Sequence, residues 1–154
     1  MKVTLAAFLL FTFSFLSMNK AHAQADAPVS AKLNHIAVYV SDLAKSKSFY
    51  HSLLNLPIID EPFKDGKHVW FTLGAAGQLH LIQGEFEKQK FNKNEHLCFS
   101  VNSIDQFIAK LDKQKIEYSN WPGTAKEPTL RVDGVKQIYF QDPDGHWLEI
   151  NDDY

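Results

Sequence analysis

Cysteine is almost absent from this sequence, and its scarcity limits how the fold can be stabilised. Cys98 is the only cysteine among 154 residues, so the chain forms no intrachain disulfide. A chain of this length must then be held together by its hydrophobic core or by association with a second chain. Because Cys98 lies in an apolar stretch, it is predicted to be a buried packing residue and not a reactive thiol.

Positive charge is also scarce. The chain has one arginine, Arg131, and its 16 basic residues are outnumbered by 18 acidic ones. Without Lys2 and Lys20, which lie in the N-terminal segment, the formal net charge becomes −4. The absence of a basic patch argues against a nucleic-acid partner. Because a guanidinium matches a carboxylate or phosphonate, Arg131 is a candidate substrate-binding residue.

The one long apolar run lies at the N terminus. Met1-Lys2 is followed by a nearly unbroken apolar stretch at 3–16 and by the small-residue site Ala21-His22-Ala23. This pattern predicts a secretory signal peptide over 1–23, followed by a flexible lead-in over 24–32. The apolar run is too short for a comfortable membrane span. We therefore expect a secreted or periplasmic protein without stable membrane association.

The remaining sequence predicts one α+β domain over 33–152, built from an internal repeat. "LNHIAVYV" and "NEHLCFSV" each place a histidine at the start of an apolar strand, and a helical pattern follows each. Further strands separated by turn residues complete a β-α-β-β-β order in both halves. Module one spans 33–84 and module two spans 94–152.

The two modules can be aligned by residue number. Trp70 and Tyr139 lie in the penultimate strands, and His80 and Glu149 each follow them by ten residues. The histidines that open the first strands also align, since each begins its module. The four polar residues at equivalent positions are His35, His80, His96 and Glu149.

Three imidazoles and one carboxylate form a donor set that suits Zn, Ni, Fe or Mn. Strands can present such ligands on one face because alternate residues point the same way. The sequence therefore predicts a divalent metal site with positions open to substrate or water. Aromatic pocket walls favouring an apolar or ring-bearing ligand are expected from Phe49, Tyr50, Trp70, Trp121 and Trp147, and Trp70 is the candidate substrate contact among them. Of the other histidines in this region, His51 and His68 are predicted to be surface residues, and His146 is predicted by strand alternation to point away from Glu149.

Two phrases, "LNHIAVYVSDLAKSKSFYHSLLNL" and "IYFQDPDGHWLEIND", resemble the vicinal oxygen chelate superfamily. This superfamily includes glyoxalase I, extradiol dioxygenases, fosfomycin-resistance thiol transferases, methylmalonyl-CoA epimerase and bleomycin-binding proteins. The resemblance implies paired βαβββ modules, each a curled mixed sheet around a metal, with ligands from the first and last strands. It also implies a homodimer, in which His35 and His80 of one chain meet His96 and Glu149 of the other.

The resemblance implies an enzyme in which a metal chelates vicinal oxygens of a small substrate and stabilises an oxyanion. In a glyoxalase-like (lactoylglutathione lyase-like) reaction, Glu149 would move a proton between adjacent carbons. Glyoxalase I usually has a second carboxylate where this chain has His80, so two other reactions stay open. One is an extradiol-type dioxygenase, and the other is a fosfomycin-type thiol transferase, with Tyr139 as substrate contact. The alternative of another class is a non-catalytic small-molecule binding module.

Overall fold

The computed structural model describes residues 30–85 and 89–154, and residues 32–154 form one compact unit. The predicted signal peptide and most of the lead-in lie outside the described residues. Within the described ranges, no helix is long and apolar enough to cross a membrane.

Module one is a four-stranded mixed sheet with one helix. The strands are β1 (His35–Val40), β2 (Ile58–Ile59), β3 (His68–Thr72) and β4 (Gln78–Gln83), in the order β1-β4-β3-β2. Strand β1 runs parallel to β4, and the other pairs are antiparallel. Helix α1 (Leu43–Ser48) continues into a π-helical turn, Phe49–Leu53. Asp42 begins α1 because its carboxylate accepts the Lys45 N–H.

Module two repeats this arrangement. It contains β5 (His96–Ser100), α2 (Ile104–Gln114), β6 (Tyr118–Ser119), β7 (Thr129–Leu130), β8 (Lys136–Gln141) and β9 (Trp147–Asn151). The sheet order is β5-β9-β8-β6, with β7 paired to β8 and β5 parallel to β9. Ser103 caps the start of α2, and Lys115 ends it in the left-handed conformation. The predicted β-α-β-β-β order is confirmed in module one, and module two has the same order with the short strand β7 added.

Two elements differ from the sequence prediction. The stretch 56–63 reads as a full strand, but β2 contains only Ile58 and Ile59. Pro57 and Pro62 flank it, and neither has an N–H with which to extend a ladder. The longer, Pro- and Gly-containing connection over 121–135 includes the two-residue strand β7, which the sequence pattern does not predict.

The register of the strands confirms the alignment of the two modules. Trp70 lies directly opposite His80 across β3 and β4, and Tyr139 lies opposite Glu149 across β8 and β9. On its other side, Glu149 is paired with Cys98 in β5. The last strands of the modules therefore present His80 and Glu149 at equivalent positions.

One face of each sheet packs into a core shared by both modules. Leu79 and Leu81 of β4 and Leu148 and Ile150 of β9 are fully buried there. The ring of Phe140 lies 6.2 Å from that of Phe49 and 5.9 Å from that of Phe107 (distances between centroids). The opposite faces of the sheets carry the predicted ligands.

Phe49 and Tyr50 belong to this core and do not line a pocket on the opposite faces. Tyr50 is fully buried and packs against Phe71 at 6.3 Å between ring centroids. Its hydroxyl donates to Asp142 Oδ2 at 2.9 Å. Asp142 also accepts from His146 Nδ1 at 2.8 Å, which holds the half-buried His146 at this turn.

The turn between β8 and β9 joins module two to module one. The Asp144 carboxylate accepts the Ser41 backbone N–H at 3.2 Å and the Ser46 hydroxyl at 3.2 Å. The Ser41 hydroxyl also donates to Asp144. Ser41 precedes α1 and Ser46 lies within it. The Asp144 carboxylate therefore fixes the start of α1 against the second sheet.

We expect Asp144→Ala to lower the free energy of unfolding by about 2–3 kcal/mol, because three donors to a carboxylate lose their acceptor. Urea unfolding followed by fluorescence measures the change. Asp60→Ala is the matched control, since 90% of the Asp60 side chain is exposed, and it should have little effect. Equal effects of the two substitutions would contradict the role given to Asp144.

Candidate functional site

Strand alternation places a polar group on the outer face of the module-two sheet. Leu148 and Ile150 of β9 point into the core, so Glu149 and Asn151 point the other way. His96 and Cys98 of β5 share this face with Glu149, as does Tyr139 of β8. Glu149 is only 5% exposed, so its carboxylate depends on protein partners.

His96 and Glu149 form the first pair of predicted ligands. His96 Nε2 lies 3.2 Å from Glu149 Oε2. On the other side of the ring, Nδ1 lies 2.8 Å from the carbonyl oxygen of Lys93. A carbonyl only accepts, so Nδ1 donates to Lys93, and Nε2 is the ring nitrogen that faces Glu149. A backbone carbonyl commonly orients a metal-binding histidine in this way.

The Glu149 carboxylate is held at both oxygens. Tyr139 donates to Oε2 at 2.5 Å, while Asn151 Nδ2 and Cys98 Sγ donate to Oε1 at 3.1 and 3.3 Å. Burial raises the pKa of Glu149, but the three hydrogen bonds outweigh burial and the pKa lies below its ordinary value. The side chain is therefore a carboxylate at neutral pH and is able to bind a metal.

Cys98 was predicted to be a buried packing residue and not a reactive thiol; the burial is wrong, whereas the raised pKa of the thiol supports the second part. The side chain is exposed and shares the polar face of β5 with His96. Its contact with Glu149 also shapes its chemistry: partial burial and the neighbouring carboxylate raise the pKa of the thiol to about 12. Cys98 is thus a neutral hydrogen-bond donor at the site.

His35 and His80 form the second pair, on the module-one sheet. Their ring centroids are 6.0 Å apart. His80 is 5% exposed and stacks on Trp70, with 4.0 Å between centroids and 17° between planes. His35 Nδ1 lies 2.7 Å from the side-chain oxygen of Asn34. Trp70 therefore contacts a predicted ligand directly, and its own Nε1 is buried without a partner among the described residues.

The buried Nε2 of His80 fits a metal ligand. No hydrogen-bond partner for it exists among the described residues, although buried polar atoms nearly always have one. Burial lowers the pKa of His80, and the neighbouring imidazoles of His68 and His35 lower it further. The ring is therefore neutral at physiological pH, which is the form that binds a metal ion.

Within one chain the two pairs remain apart. Over 30–85 and 89–154, no three histidine, cysteine or carboxylate side chains stand close enough to hold a metal ion. The structure thus brings His35 to His80 and His96 to Glu149, and it leaves two half-sites. We call them the module-one half-site (His35, His80) and the module-two half-site (His96, Glu149).

Arg131 lies near the module-two half-site but is already engaged. Its guanidinium is 2.5 Å from Asp133 Oδ2, and 37% of the side chain is exposed. Burial raises the pKa of the Tyr139 hydroxyl and of the Cys98 thiol, and the charge of Arg131 partly opposes both changes. A cation within electrostatic range of Glu149 is consistent with the predicted substrate contact.

Lys93 is a further residue of this face that the sequence pattern does not reveal. Its ammonium donates to Ser119 Oγ and to the carbonyl oxygens of Asn120 and Trp121, at 2.9–3.2 Å. It also stands over the Tyr139 ring, 4.8 Å from the centroid. The backbone carbonyl of Lys93 orients His96. Its side chain holds the loop at Asn120 and Trp121 beside Tyr139.

Comparison with known proteins identifies the family. The family model described as the Glyoxalase/Bleomycin resistance protein/Dioxygenase superfamily matches residues 32–150. The chain belongs to this superfamily. It is 29% identical over 130 residues to the uncharacterized protein YaeR of Escherichia coli, covering 77% of this chain and 94% of that one. It is 28% identical over 123 residues to metallothiol transferase FosB of Shouchella clausii, covering 77% and 78%.

Solved structures of this superfamily share the fold. The fosfomycin resistance protein FosX of Listeria monocytogenes is 25% identical with a TM-score of 0.65, covering 82% of this chain and 96% of that one. A glyoxalase/dioxygenase of Nostoc punctiforme is 26% identical with a TM-score of 0.66, covering 83% and 98%. A further FosX structure, of a mutant at 23% identity and TM-score 0.64, contains Mn(II) and dihydroxypropylphosphonic acid, covering 80% and 93%.

In the metal-free protein we expect Tyr139→Phe to raise the pKa of Glu149, because the carboxylate loses a hydrogen bond to its charged form. A depressed folded-state pKa adds stability above the unfolded-state pKa, and this stability is lost as the pH falls through the folded-state value. The variant should therefore be about 1–2 kcal/mol less stable at pH 7, and the difference should shrink below about pH 4.

Urea unfolding at several pH values and carboxyl-carbon NMR measure these two effects. Tyr118→Phe is the control, since among the described residues the Tyr118 hydroxyl donates to no carboxylate. A stability difference for Tyr139→Phe that does not change with pH would contradict the assignment.

Proposed function

We propose that this protein is a metal-dependent enzyme of the glyoxalase-like class, which chelates vicinal oxygens of a small substrate. The observation that carries the proposal is the buried, unpartnered Nε2 of His80. It lies at the position equivalent to Glu149, whose carboxylate faces His96. Family membership supports the same conclusion, because the family description names glyoxalase and dioxygenase.

The proposed active site forms between two copies of the chain. Each copy has one module-one half-site and one module-two half-site, and within a copy these do not meet. A two-fold dimer would join each half-site to its complement and create two equivalent sites. The ligands of one site would be His35 and His80 of one chain with His96 and Glu149 of the other.

A divalent metal (zinc, nickel, iron or manganese) bound there would supply Lewis-acid stabilisation of negative charge on adjacent substrate oxygens. Glu149 is the residue able to take and return a proton, because it is a buried carboxylate at the site. The Tyr139 hydroxyl would hold Glu149 Oε2 in place during that transfer. Trp70 on one half-site and Trp121 beside Tyr139 on the other would exclude water.

A fosfomycin-type reaction is the second candidate. Arg131 and Lys93 place two cations around Tyr139 and Glu149, and a guanidinium suits a phosphonate or carboxylate. Similarity to FosB and FosX supports this candidate. The Mn(II) and phosphonate bound to the Listeria FosX mutant suggest what such a site would accept.

We also propose that the enzyme acts outside the cytoplasm, in the periplasm or secreted. This proposal rests on the N-terminal pattern of a short positive segment, an apolar run and Ala21-His22-Ala23. Mass spectrometry of the protein recovered from a secreting host would test it. A mature N terminus near residue 24 is the expected result, and an intact Met1 would contradict it.

Elemental analysis of the untagged mature protein tests the metal proposal. We expect close to one divalent ion per chain and its loss in His96→Ala, because an imidazole ligand is removed. Nickel or zinc would favour isomerase chemistry, and manganese would favour the fosfomycin-type reaction. Iron would favour a dioxygenase, and the protein should then consume O2 in the presence of a catechol. Absence of metal from the unsubstituted protein would favour a non-catalytic binding module.

Mixing two defective variants tests the shared site. The first carries His35→Ala with His80→Ala, and the second carries His96→Ala with Glu149→Ala. Neither should hold metal alone, but subunit exchange should restore about a quarter of the original metal content, because half of the dimers gain one intact site of two. No recovery despite mixed dimers would show that the site lies within one chain.

A further inference from the structure

His68 lies on the ligand-bearing face of the module-one sheet. The sequence pattern predicts a surface residue, but only 16% of its side chain is exposed. His68 opens β3, two residues before Trp70, so the two side chains share one face. The ladder places Trp70 opposite His80 and His68 opposite Ile82, so His68 is the diagonal neighbour of His80.

The imidazole of His68 has a fixed orientation. Its Nδ1 lies 2.8 Å from Asp65 Oδ1, and since a carboxylate only accepts, Nδ1 carries the proton. Asp65 in turn accepts the Lys67 backbone N–H at 2.9 Å. The Phe63 ring covers His68 with 4.5 Å between centroids. Nδ1 is thus committed to the protein, while Nε2 makes no hydrogen bond within the described residues.

The position of His68 suits contact with a bound ligand. Its ring centroid is 5.0 Å from that of His80, and the His80 Nε2 beside it is buried and unpartnered. A metal ion lies about 2.0–2.1 Å from an imidazole nitrogen that binds it. A molecule held by such an ion would therefore lie close to His68. Within one chain, over the described ranges, His68 adds no third donor close enough to His35 and His80 to hold a metal with them.

We propose that His68, oriented by Asp65, recognises a substrate hydroxyl that lies beyond the two chelated oxygens. The inference rests on the proposed metal-binding function. With Nδ1 committed to Asp65, Nε2 is the ring nitrogen left to form a hydrogen bond with that hydroxyl. The equivalent position in module two is Gln137, two residues before Tyr139, which is also a side chain able to form hydrogen bonds.

Two small acids provide the test. Lactate offers a carboxylate and an adjacent hydroxyl, and glycerate adds one further hydroxyl. Calorimetric titration of the metal-loaded dimer should show that glycerate binds roughly three- to ten-fold tighter than lactate, the range expected for one hydrogen bond. His68→Phe keeps a ring against Phe63 and His80 but has no nitrogen, so the preference should vanish while lactate affinity stays the same.

Two further variants separate recognition from folding. His68→Gln keeps an acceptor and should keep part of the preference, whereas Asp65→Asn should weaken it by loosening the ring. His51→Phe is the control, because His51 is exposed and contacts Leu56 and not the ligand-bearing face. All variants should retain the metal content of the unsubstituted protein.

The outcomes distinguish the inference from the function on which it rests. Metal-loaded protein that binds both acids equally, or neither, would overturn the role of His68 and leave the metal site standing. A glycerate preference that survives in His68→Phe would also overturn it. Protein that takes up no metal would overturn the proposed function, and the inference with it.

Discussion

The site depends on a shared register between the last two strands of each module. A strand alternates its faces strictly, so a slip of one residue would move every ligand into the core. Trp70 opposite His80 and Tyr139 opposite Glu149 are the same pair built twice. The buried leucines of β4 and β9 enforce this register, because they must face the shared core. Packing on one side of the sheets thus determines the chemistry on the other.

The two half-sites share positions but orient their ligands by different forces. Glu149 is held by three hydrogen bonds, and His96 is held by a backbone carbonyl. His80 has neither kind of support in the described structure and is fixed by stacking on Trp70. Stacking fixes the plane of a ring without occupying its nitrogens. The module-one half-site is consequently the one in which a buried ligand nitrogen, Nε2 of His80, has no hydrogen-bond partner among the described residues. A single chain therefore already shows that this half-site lacks a binding partner.

The sequence predicts the fold and the strand positions of the four candidate ligands because both follow from periodicity. The histidine at the start of each first strand and the ten-residue spacing to His80 and Glu149 survive intact in the structure. Periodicity fails to predict the orientation of a side chain where that orientation depends on a neighbouring element. Cys98 sits among apolar residues, yet it faces outward with His96. Tyr50 carries a polar group, yet it enters the core because Asp142 of the other module accepts its hydroxyl. The alternation of side chains along β3 places His68 on the same face as Trp70. The sequence prediction missed this because His68 directly follows a turn.

A histidine in place of a second carboxylate would change the charge of the proposed site. As metal ligands, three imidazoles and one carboxylate would contribute a single negative charge, so a divalent ion among them would keep a net positive charge. Two carboxylates would neutralise it. In a partly buried site that difference favours anionic ligands and strengthens the hold on a developing oxyanion. Arg131 and Lys93 act in the same direction from the module-two side. In the proposed site this charge balance would favour a negatively charged substrate, whichever of the proposed reactions it undergoes.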